Sequence, residues 1–376
     1  MPEAESASSA IELRHIDKRF GAVHANRDVS MSIRRGSITG IVGENGAGKS
    51  TLMSILYGFY EADSGEILVN GKQAAIRNPH DALHLGIGMV HQHFVLIDPF
   101  TVLENVMLGA EGGPMLRRGK AAAKEELARL EREYGLGVDP DAVVGTLPVG
   151  AQQRVEILKA LYRGAEILIL DEPTGVLTPQ ETEQLFRILQ TLRERGATVI
   201  LITHKLREIM TATDEVYVMR GGAVVAHRRT AETDPGELAE LMVGRKVRLE
   251  IDKAPAAPGA ERLVVEDVTL HDARGVAVLD HVSFGARGGE IVGIAGVSGN
   301  GQSDLLEVLA GIRTAESGRI VVDGVEITSS HPSDPARMRA LGVAHIPEDR
   351  HRLGLVVSFE ATESALLGYQ RDDAYA

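Results

Sequence analysis

The chain predicts an α/β fold on a parallel sheet, present once in full and again in part. Three observations carry this. Short, uninterrupted apolar runs end in polar residues, as buried parallel strands do. A glycine-rich octapeptide, GENGAGKS at 43–50, joins one such run to a helical pattern. The octapeptide returns as GVSGNGQS at 296–303, with glutamine in place of its lysine.

The run SITGIVG (37–43) reads as a buried strand, and STLMSILYG (50–58) places Leu52, Ile55 and Leu56 at helical spacing. The octapeptide therefore forms a strand-to-helix turn, the setting in which G-x-x-x-x-G-K-[ST] holds phosphate. Gly46 and Gly48 let backbone N–H groups curl inward, and the helix start adds its free amides and positive dipole end. Gly43, Glu44, Asn45, Gly46, Ala47, Gly48, Lys49, Ser50 and Thr51 are thus the candidate nucleotide contacts. Lys49 is a point charge for the β- and γ-phosphates, and the Ser50 hydroxyl suits Mg²⁺.

Further along, ILILDE (167–172) is a strand that delivers Asp171 and Glu172 to its C-terminal edge, where ligands of doubly wound sheets bind. Asp171 is the candidate support for Mg²⁺, and Glu172 the group that polarises an attacking water. ATVILITHK (197–205) is another strand, ending at His204, within expected reach of a γ-phosphate. Gln92, in MVHQHF after a further predicted strand, is a neutral candidate ligand for Mg²⁺ and water.

Taken together, these residues resemble the nucleotide-binding cassette of ABC ATPases, whose parts follow one another here from Ile11 to about Arg245. The resemblance implies a P-loop NTPase cassette with a parallel-sheet core, an antiparallel β subdomain and a helical subdomain, binding ATP with Mg²⁺. It makes Phe20 the aromatic on which adenine stacks, although a core phenylalanine fits the sequence equally well. Gln92 becomes the glutamine loop, Asp171 and Glu172 the acidic pair, and His204 the switch histidine. LPVGAQQRVEI (147–157) stands where the family's LSGGQ signature contacts ATP held by the opposite cassette. Leu147 and Gly150 match, and Gln152 follows, but Pro148, Val149 and Ala151 depart. Proline removes a hydroxyl and an N–H donor, and valine resists positive φ, so this signature is expected to support hydrolysis poorly.

Sliding the chain so that Ser30 meets Ser283 brings Gly36 onto Gly289, Ile38 onto Ile291, Leu52 onto Leu305 and Gly71 onto Gly324. Such gapless self-similarity marks a duplicated domain. In this register Lys49 meets Gln302, Phe20 meets Ala273, and Glu348 comes near Gln92. The second copy should hydrolyse poorly. Its signature and acidic pair would fall beyond Ala376, so the second cassette is expected to be incomplete. The expected organisation is a flexible tail at 1–10, a first cassette at 11–250, a linker at 251–261 around the Pro/Ala-rich DKAPAAPGA, and a partial second cassette at 262–376.

Tandem cassettes with a weak first signature and a lysine-less second loop resemble the ATPase subunits of ABC importers for simple sugars and nucleosides. GIGMVHQHFVLIDPFTVLENVMLG (86–109) and IPEDRHRLGLV lean towards the nucleoside branch. That resemblance implies transmembrane permease subunits, a solute-binding protein behind them, and a place on the cytoplasmic face of the membrane. It also implies either a separate second-half polypeptide or a homodimer. Two other readings keep the fold: a nucleotide-binding remnant that does not turn over, and a soluble ABC ATPase outside transport.

Composition narrows the rest. There are no cysteines, hence no disulfide or thiol chemistry. A net charge of −13 gives no electrostatic footprint for nucleic acid or an anionic membrane. No apolar run is long enough to span a bilayer, and MPEAESASSA lacks the basic start and apolar core of a signal peptide. AAAKEELARLEREY (121–134) reads as a solvated helix. FVLIDPF (94–100) reads either as a buried loop or, by resemblance, as part of the permease groove.

Overall fold

The computed structural model describes residues 9–91, 94–109, 116–175, 177–246, 253, 255–272, 274–296, 300–347 and 353–370. It divides into two compact units, Met1–Ile251 and Asp252–Ala376. In the first, β1 (Ser9–Phe20) and β2 (Val23–Arg34) form a hairpin, followed by β3 (Ile38–Val42) and α1 (Lys49–Tyr57). Next come β4 (Ser64–Val69), β5 (Lys72–Gln73), α2 (Pro79–His84) and β6 (Ile87–Val90). A helical stretch holds α3 (Val102–Met107), α4 (Leu116–Tyr134) and α5 (Val149–Tyr162). β7 (Ile167–Asp171), α6 (Pro179–Glu194), β8 (Thr198–Ile202), α7 (Leu206–Ala212), β9 (Glu215–Arg220), β10 (Ala223–Arg229) and α8 (Pro235–Val243) complete the unit.

Strands order as β10-β9-β3-β8-β7-β6 in a sheet that is parallel except for its β10 edge, and as β2-β1-β4-β5 in an antiparallel sheet. Every residue of β3, β7 and β8 is buried. Alternation explains why. Ile41, Ile169 and Ile200 pack with Ile16 and Ile33 of the antiparallel sheet and Leu52 of α1, whereas Leu168, Leu170 and Leu201 pack with Leu127, Leu158 and Leu189 of the helices. Each strand therefore feeds two cores, which requires apolar residues at both parities. Because β3, β8 and β7 run parallel and side by side, their C-terminal ends bring Gly43, His204 and the Asp171–Glu172 pair to one edge.

Two expectations need correction. β1 starts at Ser9, inside the stretch read as a tail: Ser9 pairs with Arg34, and Ala10 is 1% exposed. Positions 1–8 lie outside the described residues. Nor is 121–134 a fully solvated helix. Ala123, Leu127 and Leu130 share one face and are buried, because that stripe closes the helical core, while Arg129 pairs with Glu126 and Glu133 on the wet side.

In the second unit β11 (Glu261–His271), β12 (Ala277–Arg287), α9 (Gln302–Leu309), β13 (Ser317–Val322) and β14 (Val325–Thr328) precede α10 (Pro335–Ala340) and α11 (Ala361–Leu366). The antiparallel sheet β12-β11-β13-β14 repeats the order of the first unit's hairpin sheet. It has its own core of Val265, Leu270, Leu279, Leu305, Val308 and Met338. The counterpart of β3, at 290–296, is not a strand. Ile291 is 87% exposed where Ile38 is fully buried. β3 is held between β8 and β9; among the described residues of the second unit no strand stands in their place, so the run has no ladder to join. Residues 253 and 255–260, within the predicted linker, are exposed and carry neither helix nor strand.

Candidate functional site

The turn between β3 and α1 takes its shape from Gly46 and Gly48, whose φ values of 82° and 94° lie in the left-handed region. Gly48 is doubly constrained, because a Cβ there would sit 2.2 Å from the Ala25 carbonyl oxygen. Asn26 of the hairpin also donates to the Gly48 carbonyl at 3.1 Å. The hairpin therefore braces the loop from outside. Lys49 opens α1 and is only 5% exposed. Its Nζ arches over the turn and donates to the carbonyls of Gly43 (2.8 Å) and Glu44 (3.0 Å). Burial lowers its pKa, opposed by the charges of Glu172 and Asp171. Glu44, Asn45 and Ser50 are exposed, and Ala47 is buried beneath the turn.

The acidic pair divides into two environments. Asp171 is 7% exposed, and burial raises its pKa, although a hydrogen bond from Ser50 works the other way. Its Oδ1 is buried with no hydrogen-bond partner among the described groups. An orphaned carboxylate oxygen beside a serine hydroxyl at a phosphate loop suits Mg²⁺, a hard cation that prefers oxygen ligands and takes the remainder from phosphate and water. Among the described residues no three His, Cys, Asp or Glu side chains cluster to hold a metal.

Glu172 leaves β7 with φ 45°, rare for a residue with a side chain, and its N–H donates to the Ile202 carbonyl at 2.9 Å. This twist carries its carboxylate towards β8, where Oε1 meets His204 Nδ1 at 2.9 Å. A cleft of about 480 Å³ opens between the loop and the hairpin, lined by Asn45–Thr51, Glu172, Phe20, Val23, His24 and Ala25. Phe20 is not a core residue. It is 42% exposed and meets Tyr60 edge to face, with ring centroids 5.0 Å apart. Val23, His24 and Ala25 were not anticipated; their adjacency to Phe20 across a tight hairpin was the available signal.

Gln92, Ala273 and Glu348 lie outside the described residues. The signature stretch opens α5, with Pro148 as an N-cap that makes no side-chain bond. Val149 is helical rather than left-handed, so no positive φ is demanded there. Leu147 packs against the helical core, and Gln152 folds back onto the Leu147 carbonyl at 3.0 Å. The Gly150 N–H is already engaged by Glu181 Oε1 at 3.2 Å. In the second loop Gly301 repeats the geometry of Gly48: its φ is 87°, and a Cβ would lie 2.2 Å from the Val278 carbonyl oxygen. The amide of Gln302 lies against Gly296.

With this loop at the edge of a parallel sheet, the first unit is a P-loop nucleotide-binding cassette. The family model described as ABC transporter matches residues 26–175 and 279–365. The chain is 46% identical over 95% of its length to the guanosine import ATP-binding protein NupO of Bacillus subtilis, covering 69% of that protein. It is 44% identical to the nucleoside import ATP-binding protein NupA of Lactococcus lactis, over 96% of this chain and 70% of that one. A ribose import ATP-binding protein, RbsA of Chromobacterium violaceum, is 41% identical over 95% of this chain and 70% of its own length. Among solved structures, a nucleotide-free ATP-binding cassette from an ABC transporter superposes with a TM-score of 0.55 at 27% identity, covering 66% of this chain and all of that one. The chain belongs to the ABC transporter family, among its ATP-binding proteins of nucleoside and sugar import type.

Proposed function

We propose that this chain hydrolyses Mg·ATP to drive uptake of a nucleoside or simple sugar through an ABC importer, from the cytoplasmic face of the membrane. The observation that carries the hydrolytic reading is the Glu172–His204 pair beside the phosphate loop. Phe20 would stack the adenine, the amides of the turn from Gly43 to Thr51 would hold the phosphates, and Lys49 would exchange its carbonyl partners for β- and γ-phosphate oxygens. Ser50, Asp171 and Gln92 would hold Mg²⁺, which neutralises charge on the phosphates when bound. Glu172 orients a water and takes its proton as the water oxygen bonds to the γ-phosphorus and the bond to the bridging oxygen breaks, releasing ADP. His204, donating through Nδ1 to Glu172, fixes that carboxylate in place.

The nucleoside lean draws on the names of the NupO and NupA relatives. A permease partner fits the exposed apolar loop after position 92, where Val95 is 60% and Phe100 37% exposed. No helix among the described residues is long and apolar enough to cross a membrane. In this reading a permease supplies the passage, and a solute-binding protein delivers the solute to it.

Pro148 and the engaged Gly150 N–H favour a second reading for the chain by itself: ATP binding without turnover until another polypeptide, or a second copy, presents a signature. Nucleotide titration and phosphate release test both, with and without a separately produced cassette bearing LSGGQ. Turnover appearing only on addition supports the two-polypeptide engine. Robust turnover alone, abolished by Glu172→Gln, points to homodimers. Failure to bind ATP overturns the proposal.

A further inference from the structure

Behind the Glu172–His204 pair lies a buried carboxylate that the hydrolytic scheme does not use. Glu208, in the first turn of α7, is 6% exposed and does not line the nucleotide cleft. Its Oε1 accepts from the Thr174 hydroxyl, and its Oε2 accepts from the Thr203 hydroxyl at 2.9 Å. Thr174 lies two residues after Glu172, and Thr203 immediately precedes His204. One carboxylate therefore joins the loop that carries the proposed base to the loop that carries its histidine.

Lys205 completes the arrangement. Its Nζ lies 3.3 Å from Glu208 Oε1 and donates to both the carbonyl and the hydroxyl of Thr174 at 3.1 Å. Its own N–H donates to the Thr203 hydroxyl at 3.0 Å. The proton inventory is then full. Each threonine hydroxyl gives its single proton to Glu208 and receives a bond from Lys205. Only a side chain with two acceptor oxygens takes both hydroxyl protons; an amide has one acceptor and one donor end, so one hydroxyl proton loses its acceptor and must rotate. From the far side, Gln153 of α5 donates to the Pro173 carbonyl at 2.7 Å and fixes the same loop against the helix that follows the signature.

We propose that Glu208 is a positioning residue. By bridging Thr174 and Thr203 it sets the spacing between Glu172 and His204, without touching nucleotide. The functional weight of that spacing rests on the hydrolytic reading above; the spacing itself does not, and can be measured separately.

The chain has no cysteine, which makes the measurement clean. The pair E172C/H204C is treated with a short bifunctional thiol reagent, and the rate of intramolecular cross-linking is compared with and without E208Q. A reference pair, D17C/H24C, sits in the β1–β2 hairpin, where the native side chains also touch. The expected result is that E208Q and T174V slow cross-linking at 172/204 and leave 17/24 unchanged. ATP affinity, read in the wild-type background with E208Q alone, stays the same. E208D, which keeps two acceptor oxygens, restores part of the rate. Unchanged cross-linking at 172/204 in E208Q overturns the proposal, as does equal slowing of both pairs, which would mark general loosening. Loss of ATP binding by the unsubstituted chain would count against the proposed function alone, because the cross-link needs no nucleotide.

Discussion

Glu172 and His204 lie on different strand ends, yet their side chains meet at 2.9 Å, because a left-handed residue turns the end of β7 towards β8. A non-glycine residue held at positive φ costs on the order of 1–3 kcal/mol and persists only where its surroundings impose it. Here the Glu172 N–H to Ile202 bond and the clamps at Pro173 and Thr174 impose it. Glu172→Gln keeps the size and the bond to His204 but cannot take a proton. Phosphate release, measured with a signature-bearing partner, should fall by about 10²–10⁴-fold while ATP affinity is retained. Equal loss of affinity would mean that the residue binds rather than reacts.

The loop's two left-handed glycines should differ sharply in tolerance. At Gly46 an added Cβ meets nothing within 4 Å, so alanine there pays only backbone strain, of about 1–2 kcal/mol. At Gly48 the Cβ would strike the Ala25 carbonyl at 2.2 Å, and the hairpin must move. Gly48→Ala should lower the melting temperature markedly more than Gly46→Ala and abolish nucleotide binding. Thermal unfolding with and without ATP separates the two. Similar melting temperatures would contradict the bracing role of the hairpin.

An exposed ring beside a phosphate site is unusual enough to test directly. Phe20→Ala should weaken ATP binding by about 1–3 kcal/mol, the range for one stacked base, while Phe20→Tyr stays near wild type. Inorganic triphosphate, which has no base, should bind both variants alike. If triphosphate also weakens, Phe20 supports the loop rather than the adenine.

Glu181 predicts a pH signature. The Thr178 N–H holds its carboxyl below the usual range, helped by the Thr178 hydroxyl, the Gly150 N–H and the charge of Arg154, with burial opposing. A depressed folded-state pKa means that this stabilisation is present above the ordinary value of 4.5 and disappears as pH falls through the folded value. Glu181→Ala also breaks the capping box at the start of α6. It should cost about 1–2 kcal/mol at pH 7 in denaturant unfolding, with the gap to wild type narrowing below pH 4.5. A gap independent of pH would assign the loss to packing.

The parts of the fold that sequence disclosed are those where one local rule is enough. β3, β7 and β8 are unbroken apolar runs because both faces of the sheet are covered, and the Gly46–Gly48 turn follows from conformations open only to glycine. What stayed hidden depends on neighbours distant in sequence. Ile291 repeats Ile38 in type but not in burial, since a strand needs partners as well as composition. Glu208 stands in a polar helix start, KLREI, yet is buried, and its hydrogen-bond partner Thr174 lies 34 residues earlier, beyond the reach of any local pattern. Val23 and His24 enter the cleft through hairpin geometry, which no periodicity encodes.

The weakened signature offers the last test. Pro148 caps α5 without a side-chain bond, and Glu181 supplies the missing acceptor for Gly150 from α6. A serine N-cap is worth about 1 kcal/mol, but giving up proline loosens the unfolded chain by about 0.4–1 kcal/mol. These effects oppose each other, so Pro148→Ser alone should leave the melting temperature nearly unchanged. In a Glu181→Ala background the orphaned amides have no competing acceptor, and the serine hydroxyl can serve them. There Pro148→Ser should recover part of the lost stability, giving a clear departure from additivity in a double-mutant cycle. Strict additivity would show that Glu181 and the signature helix are energetically independent. The engaged Gly150 N–H would then lend no support to the expectation that this helix start serves phosphate poorly.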